Sequence, residues 1–75
     1  MKAFVLVNVQ AGKALTVLAA LRRIEAIETA HACWGRPDIF VLVDVKNERA
    51  LNNLVMDKIQ TIRGIESTDT HIVIE

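Results

Sequence analysis

The sequence has few of the residues that mark specialised protein classes. Its 75 residues include one cysteine, Cys33, which excludes an intramolecular disulfide and a cysteine-rich metal cluster and fits a reducing cytoplasm. No apolar run approaches the ~18 residues of a membrane span, and no secretion signal is present. Nine Lys and Arg balance nine Asp and Glu without a basic run, so the charge pattern of a nucleic-acid binder is missing. We expect a cytoplasmic protein with no direct nucleic-acid or membrane partner.

Residue patterns typical of catalysis are equally scarce. The chain has no tyrosine and two histidines. It also has no glycine-rich phosphate loop, no serine elbow and no close pair of acids at helical spacing. We therefore predict that the protein is not an enzyme and needs no cofactor.

Apolar residues, in contrast, are abundant. They make up 52% of the chain, and the mean hydropathy is +0.31. A domain this short buries only about 60% of the surface that its unfolded chain exposes. Part of the apolar area is therefore expected to contact another chain, which predicts an oligomer.

Strand-like apolar segments alternate with amphipathic helical patterns. Val-rich Ala3–Val9 predicts strand one, and apolar residues at helical spacing after Gly12 predict helix one. Ala26–Trp34 and Ile39–Val45, on either side of a turn at Gly35, predict strands two and three. The apolar positions of helix one are Ala14, Val17, Leu18, Leu21 and Ile24.

A second helix and a last strand complete the pattern. Asn47 is a good N-cap and Gly64 a good C-terminal stop, so helix two lies between them, and Glu66–Ile74 resumes strand alternation. The order β-α-β-β-α-β predicts a ferredoxin-like α+β domain over residues 1–75. Its antiparallel sheet has strand order 4-1-3-2 and carries both helices on one face. The apolar stripe of helix two is Leu51, Leu54, Val55, Ile59 and Ile62.

The face of the sheet without helices is predicted to be apolar as well. Strands one and three are apolar at successive positions, whereas a sheet covered on one face alone should alternate. We predict that a second copy covers this face, with the two sheets stacked about 10 Å apart.

The tetrapeptide Gly35-Arg36-Pro37-Asp38 is the main candidate for a binding site. Gly35 can adopt positive φ and Pro37 fixes its own φ, so the turn is tight and holds Asp38 at the mouth of a strand. The Asp38 carboxylate suits the ammonium of a small amphoteric ligand, and Arg36 offers a guanidinium fork for a carboxylate. The same residues also suit an ordinary hairpin turn. Spacing alone leaves both interpretations open.

These features together resemble a known family. The opening strand with Gly12, the Gly35-x-x-Asp38 turn and the closing Arg63-Gly64-Ile65-x-Ser67-Thr68-x-Thr70 are similar to the ligand-binding (RAM) domain of the Lrp/AsnC transcriptional regulators. The family's usual amino-terminal helix-turn-helix is absent from the sequence, so a stand-alone ligand-binding domain without a DNA-binding domain is expected. Trp34 and Pro37 depart from the family, which often has Thr before the glycine and an aromatic residue before the aspartate.

The resemblance implies partners and site residues. It implies sheet-packed dimers that assemble into higher-order rings, a small amino-acid ligand between dimers, and association with full-length Lrp/AsnC-type regulators. Main-chain groups of the turn would meet the ligand carboxylate and Asp38 its ammonium. Trp34 would wall the site, although a lone Trp more often belongs to a core or an interface. The implied ligand-binding residues are Trp34, Gly35, Arg36, Asp38, Thr68 and Thr70.

Other functions remain open at this stage. His31, Cys33 and His71 are metal-ligand types, but strands two and four are predicted at opposite edges, so we expect no metal site within one chain. The alternatives to an effector-binding domain are a pure oligomerisation module, an ACT-like amino-acid-binding domain and a small dimeric α+β-barrel enzyme.

Overall fold

The computed structural model describes residues 1–75, which form four strands and two helical segments. The element order is the predicted one, and the second helix is an α-helix that continues as a π-helix. The elements are β1 (Lys2–Val9), α1 (Ala14–Leu21), β2 (Ile27–Ala32), β3 (Ile39–Asp44), α2 (Glu48–Asn53), the π-helical segment (Leu54–Ile59) and β4 (Ile65–Ile72).

The strands form one antiparallel sheet in the order β2-β3-β1-β4, which confirms the predicted topology. In the centre, Val5 of β1 lies opposite Val41 of β3 and opposite Thr70 of β4. The hairpin partner β2 places Ala30 opposite Val41. The two edge strands are therefore β2 and β4.

The core lies between the sheet and the helices. Alternate residues of the central strands, including Val5 and Val41, are completely buried on the helix-covered face, as the period of two in a strand requires. Both helical segments contribute their apolar stripe to the same cluster. The buried residues are Ala3, Val5, Val7, Val9, Val17, Leu18, Leu21, Ala30, Ile39, Val41, Val43, Leu51, Leu54, Val55 and Ile59.

The predicted strand boundaries differ by one or two residues. Strand two was expected to reach Trp34 but ends at Ala32, because the chain leaves the sheet at Cys33 to make the turn. The last strand was expected over Glu66–Ile74 and runs over Ile65–Ile72.

The second helix is not the single uniform α-helix that its periodicity predicts. After Asn47 caps it by accepting the Ala50 N–H at 2.9 Å, it widens into the π-helical segment. The Gln60 N–H then donates to the Val55 carbonyl, five residues back, at 2.8 Å. This wider turn keeps Val55 and Ile59 on the core side. It also brings the Gln60 side chain to β4, where Nε2 donates to Thr68 Oγ1 at 2.9 Å.

The second helix ends at Ile59, before the stop that the sequence predicted at Gly64. Gly64 instead lies in the turn that precedes β4. It has a φ of +105°, and a Cβ there would lie 3.1 Å from both Lys13 Cβ and Val17 Cγ2. Glycine is therefore favoured by the left-handed backbone, and a side chain there would also press against Lys13 and Val17. No helix of the structure is both long and apolar enough to span a bilayer.

Candidate functional site

Asp38 fixes the β2–β3 turn to the end of β1. Its backbone N–H donates to the Val7 carbonyl at 2.9 Å, and its Oδ2 accepts the Val9 N–H at 2.8 Å. Its own carbonyl accepts the Cys33 N–H at 2.8 Å, which closes the turn. Asp38 is half-buried, and its Oδ1 makes no hydrogen bond within the chain. The carboxylate therefore has a structural role and still presents one free oxygen.

The turn has the conformation that its residues predict. Gly35 has a φ of +101°, and the space where its Cβ would stand is open, so the backbone alone requires glycine. The peptide bond before Pro37 is cis. Trp34, in contrast, is completely exposed, so it is not a core residue of the single chain. Its indole ring is available to a partner or a ligand.

Arg36 forms an ion pair with β4. Its Nη2 lies 3.6 Å from Glu66 Oε1, and both side chains are largely exposed. The ion pair spans β1, because the turn follows β2 on one side of β1 and Glu66 lies in β4 on the other. We call this region, formed by residues 33–38, the end of β1 and the start of β4, the loop end of the sheet.

The two predicted threonines lie apart from the turn. Thr68 is opposite Val7 and its hydroxyl accepts a hydrogen bond from Gln60, so the hydroxyl belongs to the contact between β4 and the second helix. Thr70 lies about 7 Å further along β4. It lines a cleft of about 210 Å³ between the second helix and β4, with Glu48, Leu51, Asn52, Val55 and Ile72.

None of the cavities of the single chain is lined by residues 34–38. Of the six residues singled out from the sequence, Thr70 alone lines one. The turn residues therefore form an open surface in the isolated chain, and an enclosed site there requires a second chain.

Two residues near the turn were missed by the sequence analysis. One is Glu66, which pairs with Arg36. The other is Asn8, whose Nδ2 donates to Ser67 Oγ at 3.1 Å while its buried Oδ1 has no donor in the chain. An Asn inside the apolar run of strand one is a signal that could have been used, because buried polar groups need partners. Glu66 gives no such signal.

The helix-free face of the sheet carries four large apolar side chains at its centre. Phe4 lies opposite Leu42, and Leu6 opposite Phe40, on the two central strands. Phe4 and Phe40 are 43% and 41% exposed, although both belong to the middle of the sheet. We call this surface the open face. With His71 of β4, Phe4, Leu6 and Phe40 line a shallow depression of about 330 Å³.

Polar residues of the edge strands surround the apolar centre of the open face. On β2, His31 lies opposite Phe40, and on β4, His71 lies opposite Phe4. His71 Nε2 is 3.0 Å from Asp69 Oδ2. The two histidines are thus at opposite edges, as predicted, and Cys33 is exposed outside β2.

Comparison with known proteins agrees with this architecture. Residues 2–75 match the Lrp/AsnC ligand binding domain family. The HTH-type transcriptional regulator FL11 of Pyrococcus horikoshii is 39% identical over 75 residues, which are the whole of this chain and 49% of that protein. The chain therefore spans about half the length of this relative.

Solved structures show the same fold. The structure of Escherichia coli AsnC superposes with a TM-score of 0.93 at 31% identity, covering 99% of this chain and 50% of that one. A feast or famine regulatory protein from Mycobacterium tuberculosis, complexed with L-methionine, superposes with a TM-score of 0.80 at 28% identity, covering 99% and 50%. The sheet order, the Gly35–Asp38 turn and the match over residues 2–75 lead to one conclusion: the chain belongs to the Lrp/AsnC ligand binding domain family.

Proposed function

We propose that this domain is a non-enzymatic module that binds an amino-acid effector and joins chains through its open face, thereby modulating Lrp/AsnC-type transcriptional regulation. The observation that carries the proposal is the uncovered apolar centre of the open face, with Phe4 and Phe40 each more than two-fifths exposed. The relatives described above include an HTH-type transcriptional regulator and a feast or famine regulatory protein, which supports a regulatory rather than a catalytic role.

The composition of the open face supports a second copy as its cover. An apolar centre framed by polar residues is the usual anatomy of a protein interface. The frame comprises His31 on one edge strand and Asp69 and His71 on the other. Because β1 and β3 supply both apolar rows, one continuous surface can meet an identical surface across a two-fold axis. Pairs of such dimers would then associate into rings.

The loop end is the proposed amino-acid site. The free Oδ1 of Asp38 would accept the ligand ammonium, main-chain groups near Gly35 and the Arg36 guanidinium would meet its carboxylate, and Trp34 would cover its side chain. The open geometry of the turn supports a site completed by another chain. The methionine complex of the M. tuberculosis relative supports an amino acid as the ligand. Thr68 and Thr70 would lie at the margin of this site.

Regulation would follow from differential binding. A ligand held between chains stabilises the assembly that encloses it, and it shifts the equilibrium between assemblies only by its difference in affinity for them. Association with full-length regulators of the family would transmit that shift to a DNA-bound partner.

Calorimetric titration with each of the twenty amino acids tests the proposal. We expect heat from a small subset of them in the wild-type protein and none in Asp38→Asn. Asparagine keeps an oxygen for the Val9 N–H, so the turn should stay folded while the charge that holds the ammonium is lost. Asp38→Ala removes that acceptor as well and should lower the free energy of unfolding by about 1–2 kcal/mol.

A pure oligomerisation module is the second candidate. It is favoured by one observation: Asp38 Oδ2 already has a backbone partner, as a turn-forming aspartate would. In that case no amino acid would produce heat or a thermal shift at millimolar concentration. Asp38→Asn would then also leave the assembly unchanged.

A further inference from the structure

We propose that Glu66 competes with the ligand carboxylate for Arg36, and so sets both the affinity and the charge preference of the loop end. This inference rests on the proposed amino-acid binding, and it assigns a specificity-determining role to a residue outside the turn. Glu66 reaches the site from β4 because the sheet order brings the start of β4 beside the end of β1.

The backbone around Arg36 is fixed, and its side chain is not. Asp38 holds the turn by two hydrogen bonds to β1, at 2.8 and 2.9 Å. The Arg36 side chain, in contrast, is 64% exposed and touches Glu66 through one nitrogen. A change of partner therefore requires the rotation of an exposed side chain and no movement of the turn.

The ion pair with Glu66 is loose enough to be replaced. Its 3.6 Å separation exceeds the ~2.8 Å of a charge-assisted hydrogen bond between a guanidinium and a carboxylate. Such exposed pairs contribute little free energy. A ligand carboxylate that takes both prongs of the guanidinium makes a shorter and better aligned contact, so Glu66 is the weaker of the two competitors.

Glu66 also makes the site unfavourable for acidic ligands. Arg36 carries the positive charge of the turn, whereas Asp38 and Glu66 are both acidic. A zwitterionic ligand adds one charge of each sign, but an acidic side chain adds a second negative charge beside two carboxylates. We therefore infer that the site prefers amino acids with uncharged side chains to aspartate and glutamate.

The Glu66→Gln variant tests both the competition for Arg36 and the repulsion of acidic ligands. Calorimetry should show that glutamine binds the Glu66→Gln variant about two- to fivefold more tightly than it binds the wild type. The gain in affinity should be larger for glutamate, which has nearly the same shape as glutamine. The matched control is Glu28→Gln, because Glu28 is also a half-exposed partner of a cation, 3.5 Å from Lys2. This control removes the same charge on another edge strand, and it should leave the affinities for glutamine and glutamate within about twofold of the wild-type values. Equal changes in the two variants would overturn the proposal.

A second measurement does not depend on amino-acid binding. Acetate, a bare carboxylate, is titrated while the NMR signal of the Arg36 Nε–H is followed. We expect the midpoint of the shift to fall about two- to fivefold in Glu66→Gln and to stay unchanged in Glu28→Gln. If no amino acid binds the wild type but the acetate midpoint falls, the proposed effector function fails and the competition for Arg36 stands. If amino acids bind and the midpoint does not fall, the role of Glu66 fails alone.

Discussion

Asp38 shows how one side chain can serve folding and binding together. A carboxylate has two oxygens, and the turn uses Oδ2 while Oδ1 stays free. The sequence presented a hairpin turn and a ligand site as alternatives, but the geometry makes them compatible.

The prediction of Asp38 at a strand mouth needed only local turn chemistry. The ion pair of Arg36 with Glu66 joins residues that are far apart in the chain, and it depends on the sheet register. Composition and spacing carry no signal for it.

Gly64 provides a test of local packing. Gly64→Ala should lower the free energy of unfolding by about 1–3 kcal/mol, because a left-handed backbone disfavours a side chain and the new methyl group would press on Lys13 and Val17. Gly12→Ala is the matched control, since Gly12 has a φ of +79° but open space around it. Urea denaturation at equal protein concentration should show a clearly larger loss for Gly64→Ala. Equal losses would mean that packing against α1 contributes nothing.

The strands and helices were largely predictable because their periodicity is local. Alternating burial follows from the strand period, and the second helix begins after its N-cap Asn47 as expected, but it ends at Ile59 and not at Gly64. The π-helical segment was not predictable, because one extra residue in a turn leaves the apolar spacing of Leu51, Val55 and Ile59 intact. The end of β2 at Ala32 was also missed, since Cys33 and Trp34 suit a strand as well as a turn.

One carbonyl of the β2 edge is bound by the residue that follows α1. The Arg22 Nε and Nη2 both donate to the Ala30 carbonyl, at 3.1 and 2.8 Å. Charged side chains at an edge discourage pairing with other strands.

Replacing that arginine tests its contribution to the edge. Arg22→Met should lower the free energy of unfolding by about 1 kcal/mol, because two charge-assisted hydrogen bonds are lost at a partly solvated site. The neighbouring Arg23→Met removes the same charge without such bonds and should stay within about 0.5 kcal/mol of wild type. Chemical denaturation measures both. A similar loss in the two variants would show that net charge, not the contact with Ala30, matters.

The sheet as a unit is apolar on both faces, and this property was visible in the sequence. Counting apolar residues in strands one and three was enough to predict an open face, because helices can cover one side only. The arrangement of that face was not predictable. The rows Phe4–Leu42 and Leu6–Phe40 come from the register of β1 with β3. The same limit applies to the separation of Thr68 and Thr70 from the turn, which follows from where β4 meets the second helix.

A charge placed on the open face should disrupt the proposed dimer. Phe40→Glu puts a carboxylate at the apolar centre, so light scattering should give the 8.3 kDa mass of one chain, whereas the wild type gives at least twice that mass. The thermal midpoint of the wild type should rise with protein concentration and that of the variant should not. Leu15→Glu is the control, because Leu15 is 75% exposed on α1, away from the sheet, and its replacement should leave the assembly intact. A wild-type mass of one chain at micromolar concentration would contradict the prediction.

The two edge strands of the sheet differ in how accessible they are to another strand. β4 runs for eight residues and pairs with a strand on one side only, with β1. At the opposite edge, Arg22 donates to the Ala30 carbonyl of β2. If two copies were to pair through their β4 strands, neither β4 would remain an edge strand. The β2 strands, each with its bound Arg22, would then lie at both ends of the enlarged sheet. At each end of that enlarged sheet, the contact of Arg22 with the Ala30 carbonyl would disfavour the pairing that a further copy needs.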